Sequence, residues 1–204
     1  MDSGDTKKDF QSSQPTPPKS NLFWRSVREW IQTIAIAIII ALPIRFFVAE
    51  PFIVNGASMD PTFATGQFLV VDRLTYRFDT PNRGDVIVFE YPNNPKLYYI
   101  KRIVGLPGET VRIRDGVISI INEEHPDGFA LDESYVDPSH RSHDSSSRTL
   151  GEEEYFVMGD NRSQSSDSRE WGPLDKERIV GRPIVRLLPL TEISVFPGKA
   201  EQEK

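Results

Sequence analysis

The sequence has no cysteine. That excludes disulfides and thiol catalysis, and it leaves the compartment open, because an exported protein need not carry disulfides. Histidine is scarce: His125, His140 and His143 are the only three, all in one polar segment. There is no G-x-S-x-G elbow either. These two gaps argue against a Ser-His-Asp triad, and scattered histidines make a poor metal site. No cofactor or metal is expected. Positive charge is in deficit, with 24 Lys and Arg against 30 Asp and Glu and a net charge of −6. That gives no footing for nucleic acid binding. No internal repeat is present.

One long hydrophobic run is there. Arg25 and Arg28 precede an apolar stretch from Trp30 to Val48 that includes Ile34, Ile36, Ile38, Ile39, Ile40 and Leu42. At about 1.5 Å per residue it reaches across a hydrocarbon core of roughly 30 Å. Arg45, near its far end, can snorkel to the interface. A buried core helix fits poorly, since the run is apolar on all sides. A cleaved signal peptide needs small residues in an A-x-A-like arrangement. A cut after Ala49 puts Phe47 in the other small position, and a cut after Ala41 puts Ile39 there. The reading is therefore an uncleaved transmembrane helix over 29–49. Residues 1–28 are polar and lack periodicity, which predicts a disordered tail. Its Lys7, Lys8, Lys19, Arg25 and Arg28 hold it in the cytosol, so the rest of the chain lies across the membrane.

After Pro51 the pattern turns to strands. They are expected at 52–54, 68–72, 85–89, 97–104, 110–114, 116–121, 154–158, 179–187 and 193–195. Asp115-Gly116 between two of them is a hairpin signal. Many short strands without intervening helices predict an all-β antiparallel-sheet domain over 50–198. The polar segment 122–150, with Ser145, Ser146 and Ser147 at its tip, reads as a mobile loop or small inserted subdomain. Residues 199–204 should fray.

Three stretches carry the candidate chemistry. The strand Tyr98-Tyr99-Ile100-Lys101-Arg102-Ile103-Val104 ends at Gly105-Leu106-Pro107-Gly108. Alternation puts Tyr99, Lys101 and Ile103 on one face and Ile100, Arg102 and Val104 on the other. Lys101 thus has apolar neighbours, and a desolvated lysine becomes neutral readily and can act as a general base. Taken alone, the strand better fits a lysine that snorkels to solvent, and the second stretch overturns that reading. Arg102, pointing away, can bind carboxylates. The second stretch, Gly56-Ala57-Ser58-Met59-Asp60-Pro61, sets a serine on a tight non-helical corner, with Pro61 biasing Asp60 away from helix. The third, Met158-Gly159-Asp160-Asn161-Arg162 through Ser165, Asp167, Arg169 and Gly172, is a strand followed by a dense polar loop.

Together with Arg83-Gly84-Asp85-Val86, these blocks resemble type I signal peptidases, the Ser/Lys leader peptidases. Their order, and the apolar segment before them, match as well. The resemblance implies Ser58 as nucleophile and Lys101 as its base, acting through an acyl-enzyme. It implies that Ser165 hydrogen-bonds and orients the lysine, and that Asp160, Asp167 and Arg169, with Arg102, brace the site. Without the resemblance, those carboxylates read as solvated loop charges. Some members use a serine hydroxyl two residues before the nucleophile as an oxyanion donor. Here that position is Gly56, so the donor is missing, the Ser58 backbone N–H remains, and a second donor is open. The implied partners are signal-peptide-bearing preproteins and the lipid bilayer. An extended substrate would pair with Phe52–Asn55 and Tyr98–Ile100 by strand addition. Which exporting membrane hosts the chain, a cell membrane or an internal one such as the thylakoid, stays open. The competing reading is an inactive, membrane-anchored β-domain serving as a scaffold.

Overall fold

Alternating burial builds most of the molecule. Strand β2 (Phe68–Asp72) buries Leu69 and Val71, and β5 (Thr110–Arg114) buries Val111 and Ile113. A computed structural model of the chain describes residues 19–43 and 48–199. It divides into two units at Pro43.

The first unit is helix α1, Lys19–Pro43. It opens ten residues before the expected start, inside the stretch read as tail. Phe23, Trp24 and Val27 extend the apolar character backwards, and Arg25 Nε meets Glu29 one turn on at 3.3 Å. Pro43 is its last residue, in keeping with proline's missing N–H. Phe23–Pro43 is long and apolar enough, by length and composition, to cross a membrane. Ala49, expected within the helix, belongs instead to the first strand. The tail before residue 19, Arg45, and the expected frayed end beyond 199 lie outside the described residues.

The second unit is mainly β, with every strand pair antiparallel. Its larger sheet contains β1 (Ala49–Ile53), β2, β3 (Val86–Glu90), β4 (Tyr98–Gly105), β9 (Glu154–Met158), β10 (Leu174–Asp175) and β11 (Ile179–Leu188). The order is β1-β2-β11-β3-β4-β9-β10, with β12 (Ser194–Val195) added to β11. The short helices α2 (Thr75–Phe78) and α3 (Ser168–Trp171) lie in its connections.

The smaller sheet grows from the Asp115-Gly116 hairpin. Both turn residues have positive φ, 48° and 81°, as a two-residue turn of the primed type requires. This hairpin joins β5 to β6 (Val117–Ile121). The polar segment then contributes β7 (Phe129–Ala130) and β8 (Ser146–Thr149), giving the order β7-β6-β5-β8. The segment read as a loop or subdomain is therefore half of a sheet whose other half precedes it. Its apolar underside, with Val111, Ile113, Ile118 and Ile120, packs on Val104, Phe156 and Met158 of β4 and β9. Strands β7, β8 and β10 were not expected. They are short, and β8 is serine, arginine and threonine, so its pairing with β5, including a 2.8 Å contact between the Thr110 and Thr149 hydroxyls, defines it rather than apolar burial.

Candidate active site

Two anchors shape the corner that carries Ser58. Met59 and Phe63 are 1% and 0% exposed and pack with Val54, Leu69 and Val86. The loop between β1 and β2 is closed at its base by Val54 N–H to Gln67 O, 2.9 Å, and Gly66 N–H to Val54 O, 2.9 Å. Gly56 has φ +104°, a region that favours glycine, so a serine at this position would be strained. The Ser58 carbonyl accepts a bond from Asn161 N–H at 3.1 Å. Among the described residues, no acceptor is hydrogen-bonded to the Ser58 N–H.

β4 brings Lys101 to the same point. Lys101 is 3% exposed, and its Nζ lies 2.7 Å from Ser58 Oγ and 3.0 Å from the Ile100 carbonyl oxygen. The Tyr99 ring centroid is 5.2 Å away. Among the described residues, no carboxylate contacts the ammonium. Burial lowers the Lys101 pKa to about 8, against the opposing pull of Asp167 and Asp160.

The next residue faces the other way, into a different environment. Arg102 is 1% exposed. Its Nε and Nη2 donate to the two Asp160 carboxylate oxygens at 2.9 and 2.6 Å, and Nη1 donates to the carbonyls of Gly84 and Gly198 at 2.8 and 2.7 Å. Asp160, fully buried, also accepts from Thr62 Oγ1 at 2.6 Å. Asp167, equally buried, accepts from Gly159 N–H at 3.1 Å and from Arg169 Nε and Nη2 at 2.8 Å each. Arg169 continues to Asp144 at 2.5 Å.

Gly159 sits where these threads converge. A side chain there would lie 2.3 Å from both Ser165 Oγ and the Ser58 carbonyl oxygen. The Ser165 hydroxyl is buried and has no hydrogen-bond partner among the described residues. The bond from Ser165 to Lys101 that the resemblance implies is not formed. Lys101 bonds to Ser58 and Ile100 instead.

The polar segment supplies neighbours that sequence reasoning missed. Glu133 pairs with Arg162, whose Nε donates to Gly159 O at 2.9 Å. The Tyr135 ring lies 4.2 Å from the Arg102 guanidinium. The one available signal was apolar residues, Leu131, Tyr135 and Val136, inside an otherwise polar stretch. Leu131 and Val136 are buried. The three histidines do not share one environment. His125 packs edge-on against Phe129, and His140 Nδ1 lies 3.2 Å from the Asp60 carbonyl oxygen. None of the three bonds to Ser58. Among the described residues, no cluster of His, Asp or Glu could hold a metal ion.

A groove of about 400 Å³ runs up to the Ser58–Lys101 pair. One wall is Phe52–Ser58 and the other Tyr98–Lys101, with Leu69 and Val88 also lining it. Both walls are strand edges. Among the described residues, β1 pairs with β2 on one side only, and β4 meets β9 from Arg102 onward. At one point the Phe52 and Tyr98 rings touch edge to face, 5.3 Å apart.

The family model described as signal peptidase, peptidase S26, matches residues 27–188. The chain is 36% identical over 174 residues to a probable signal peptidase I-1 of Synechocystis sp., covering 81% of this chain and 85% of that one. It is 34% identical over 201 residues to a signal peptidase I of Leptolyngbya laminosa, covering 90% and 94%. It is 35% identical over 188 residues to a signal peptidase I of Bacillus licheniformis, covering 87% and 97%.

Proposed function

Since this chain belongs to the signal peptidase family, peptidase S26, we propose that it removes signal peptides from exported preproteins with a Ser58/Lys101 dyad. It is a serine endopeptidase of signal-peptide processing, as its named relatives are. The observation that carries the dyad is the 2.7 Å contact between Lys101 Nζ and Ser58 Oγ in a buried pocket free of carboxylate contacts.

The chemistry needs Lys101 neutral. An ordinary lysine, with pKa near 10.4, is neutral about once in 2,500 molecules at pH 7. At a pKa of about 8, the neutral fraction at pH 7 is roughly one in ten. Neutral Lys101 takes the Ser58 proton as Oγ attacks the scissile carbonyl. The ammonium so formed protonates the leaving amine, and Lys101 then activates water against the acyl-enzyme. The Ser58 N–H, which has no acceptor among the described residues, would donate to the oxyanion. The unpartnered Ser165 hydroxyl is a polar group available to the lysine as its proton moves.

An extended substrate fits the groove by adding to both open edges, with its backbone bonded on each side. Shallow apolar pockets between those edges would favour alanine-like side chains. Nothing in the site favours the scaffold reading, since the nucleophile and base lie in contact. Helix α1 serves as the anchor, with the basic N-terminal side in the cytosol. Protease added outside cells stripped of their wall should digest the β-domain and spare the tail; digestion of the tail alone would overturn this orientation.

The test of the dyad is preprotein cleavage by the full-length enzyme in detergent. Ser58→Ala, Lys101→Ala and Lys101→Arg should each lose at least about 1,000-fold in kcat/KM. The guanidinium stays protonated, so arginine cannot act as the base. An active Lys101→Arg enzyme would refute the general-base assignment.

A further inference from the structure

We infer that Tyr135, from the polar segment between β7 and β8, is a positioning residue of the peptidase site, a plate that holds Arg102 and Arg162 in the two chains of contacts that run to Asp160 and Asp167. This rests on the Ser58/Lys101 reading above.

The Tyr135 ring faces both arginines, at 4.2 Å from the Arg102 guanidinium and 6.0 Å from that of Arg162. Its hydroxyl oxygen is 3.4 Å from Arg162 Nη2. Each arginine begins a thread. Arg102 grips Asp160, which accepts from Thr62, four residues beyond Ser58. Arg162 grips the Gly159 carbonyl, while the Gly159 N–H donates to Asp167. Asp160 and Asp167 are the two carboxylates whose charge bears on Lys101. The groups facing Tyr135 are therefore Arg102, Arg162, Glu133 and Asp160, and those facing Lys101 are Ser58, Asp160 and Asp167.

Tyr135 acts through its ring. Burial pushes its hydroxyl up to about 12, so it stays neutral at working pH. An aromatic face attracts a guanidinium, more strongly when water is excluded. Arg102 has four of its five N–H groups bonded to the protein. The ring covers one of its faces. Without that cover, water reaches the Arg102–Asp160 pair and the guanidinium drifts. Asp160 is then less neutralised, and its charge stabilises the Lys101 ammonium. A side chain that merely filled space would not make the lysine's protonation depend on it.

The experiment compares full-length variants in detergent, reading kcat, KM and the pH profile of kcat/KM on a preprotein. Tyr135→Leu should lower kcat about tenfold with KM unchanged, because misplacement acts on the reacting geometry. The acidic limb, which reports Lys101 in the free enzyme, should move to higher pH. Tyr135→Phe keeps the ring and should restore both. Pentafluorophenylalanine at position 135 keeps the shape but reverses the polarity of the ring face, and should behave like leucine. A folded Tyr135→Leu enzyme with wild-type kcat and an unmoved limb overturns the inference. If Tyr135→Leu does not fold, equal activity and equal limbs for phenylalanine and pentafluorophenylalanine overturn it instead. Ser58→Ala runs alongside: an active Ser58→Ala enzyme sinks the dyad reading, whereas an inactive one beside an unaffected Tyr135→Leu sinks only the role of Tyr135.

Discussion

Lys101 and Arg102 are neighbours on β4, both cationic and both buried, at 3% and 1% exposure. They face opposite sides of the strand and meet opposite treatment. Arg102 is matched by a carboxylate, two carbonyls and an aromatic ring. Lys101 is given a hydroxyl, a carbonyl and apolar walls, with no carboxylate in contact among the described residues. A buried cation with its full set of partners is compensated, whereas one without them gives up its proton more readily. The first arrangement supports a structure; the second suits the base proposed for Lys101. One strand, by alternating its faces, keeps the two environments a residue apart.

The same kind of substitution should therefore have opposite signs at the two positions. Arg102→Met leaves Asp160 buried without its cation, and removing one partner of such a pair costs about 3–5 kcal/mol. Thermal unfolding of the full-length protein in detergent should show a large fall in Tm at neutral pH. An unchanged Tm would mean that Arg102 is not the hub of its face.

Lys101→Met should stabilise. The Lys101 pKa in the folded protein, about 8, lies below its unfolded value. Below pH 8 both states bind the proton, and the folded state bears the whole penalty of a buried ammonium, up to about 3 kcal/mol. Between pH 8 and about 10.4 the unfolded chain binds more protons, so wild-type stability rises with pH. The gain from Lys101→Met should thus be greatest below pH 8 and fade above about pH 10. A gain that does not change with pH would show that the lysine is not desolvated as described.

The smallest effect is expected from the histidines. Replacing His125, His140 and His143 together by asparagine should leave preprotein turnover within about threefold of wild type, because the proposed mechanism takes Lys101 as the base. His140 touches the Asp60 backbone, two residues from Ser58, so a modest loss is admissible. A loss of several orders of magnitude would return the base to histidine.

Much of this was legible locally. The alternation along 98–104 separated the faces of Lys101 and Arg102, and Asp115-Gly116 marked its hairpin. What escaped notice was polar and distant. Glu133 and Tyr135 brace Arg162 and Arg102 from within a stretch with no apolar period to betray it. Strand β8 exists only because β5 offers it an edge. The start of α1 was misplaced because a membrane-length argument counts only apolar residues, whereas a helix continues through any residues that tolerate its geometry.

Strand periodicity, turn chemistry and residue order are properties of neighbouring residues, set by backbone sterics. They determined the β-domain and the apolar segment ahead of it, while Ser58 and Lys101 were singled out by the resemblance their motifs carry. The chemistry of those residues was decided elsewhere. Ser58 and Lys101 are 43 positions apart, and Arg102 and Asp160 are 58 apart. Only folding could settle which buried cation met a carboxylate and which met a hydroxyl. Desolvation and charge pairing depend on what fills the space around a group, whatever its distance along the chain.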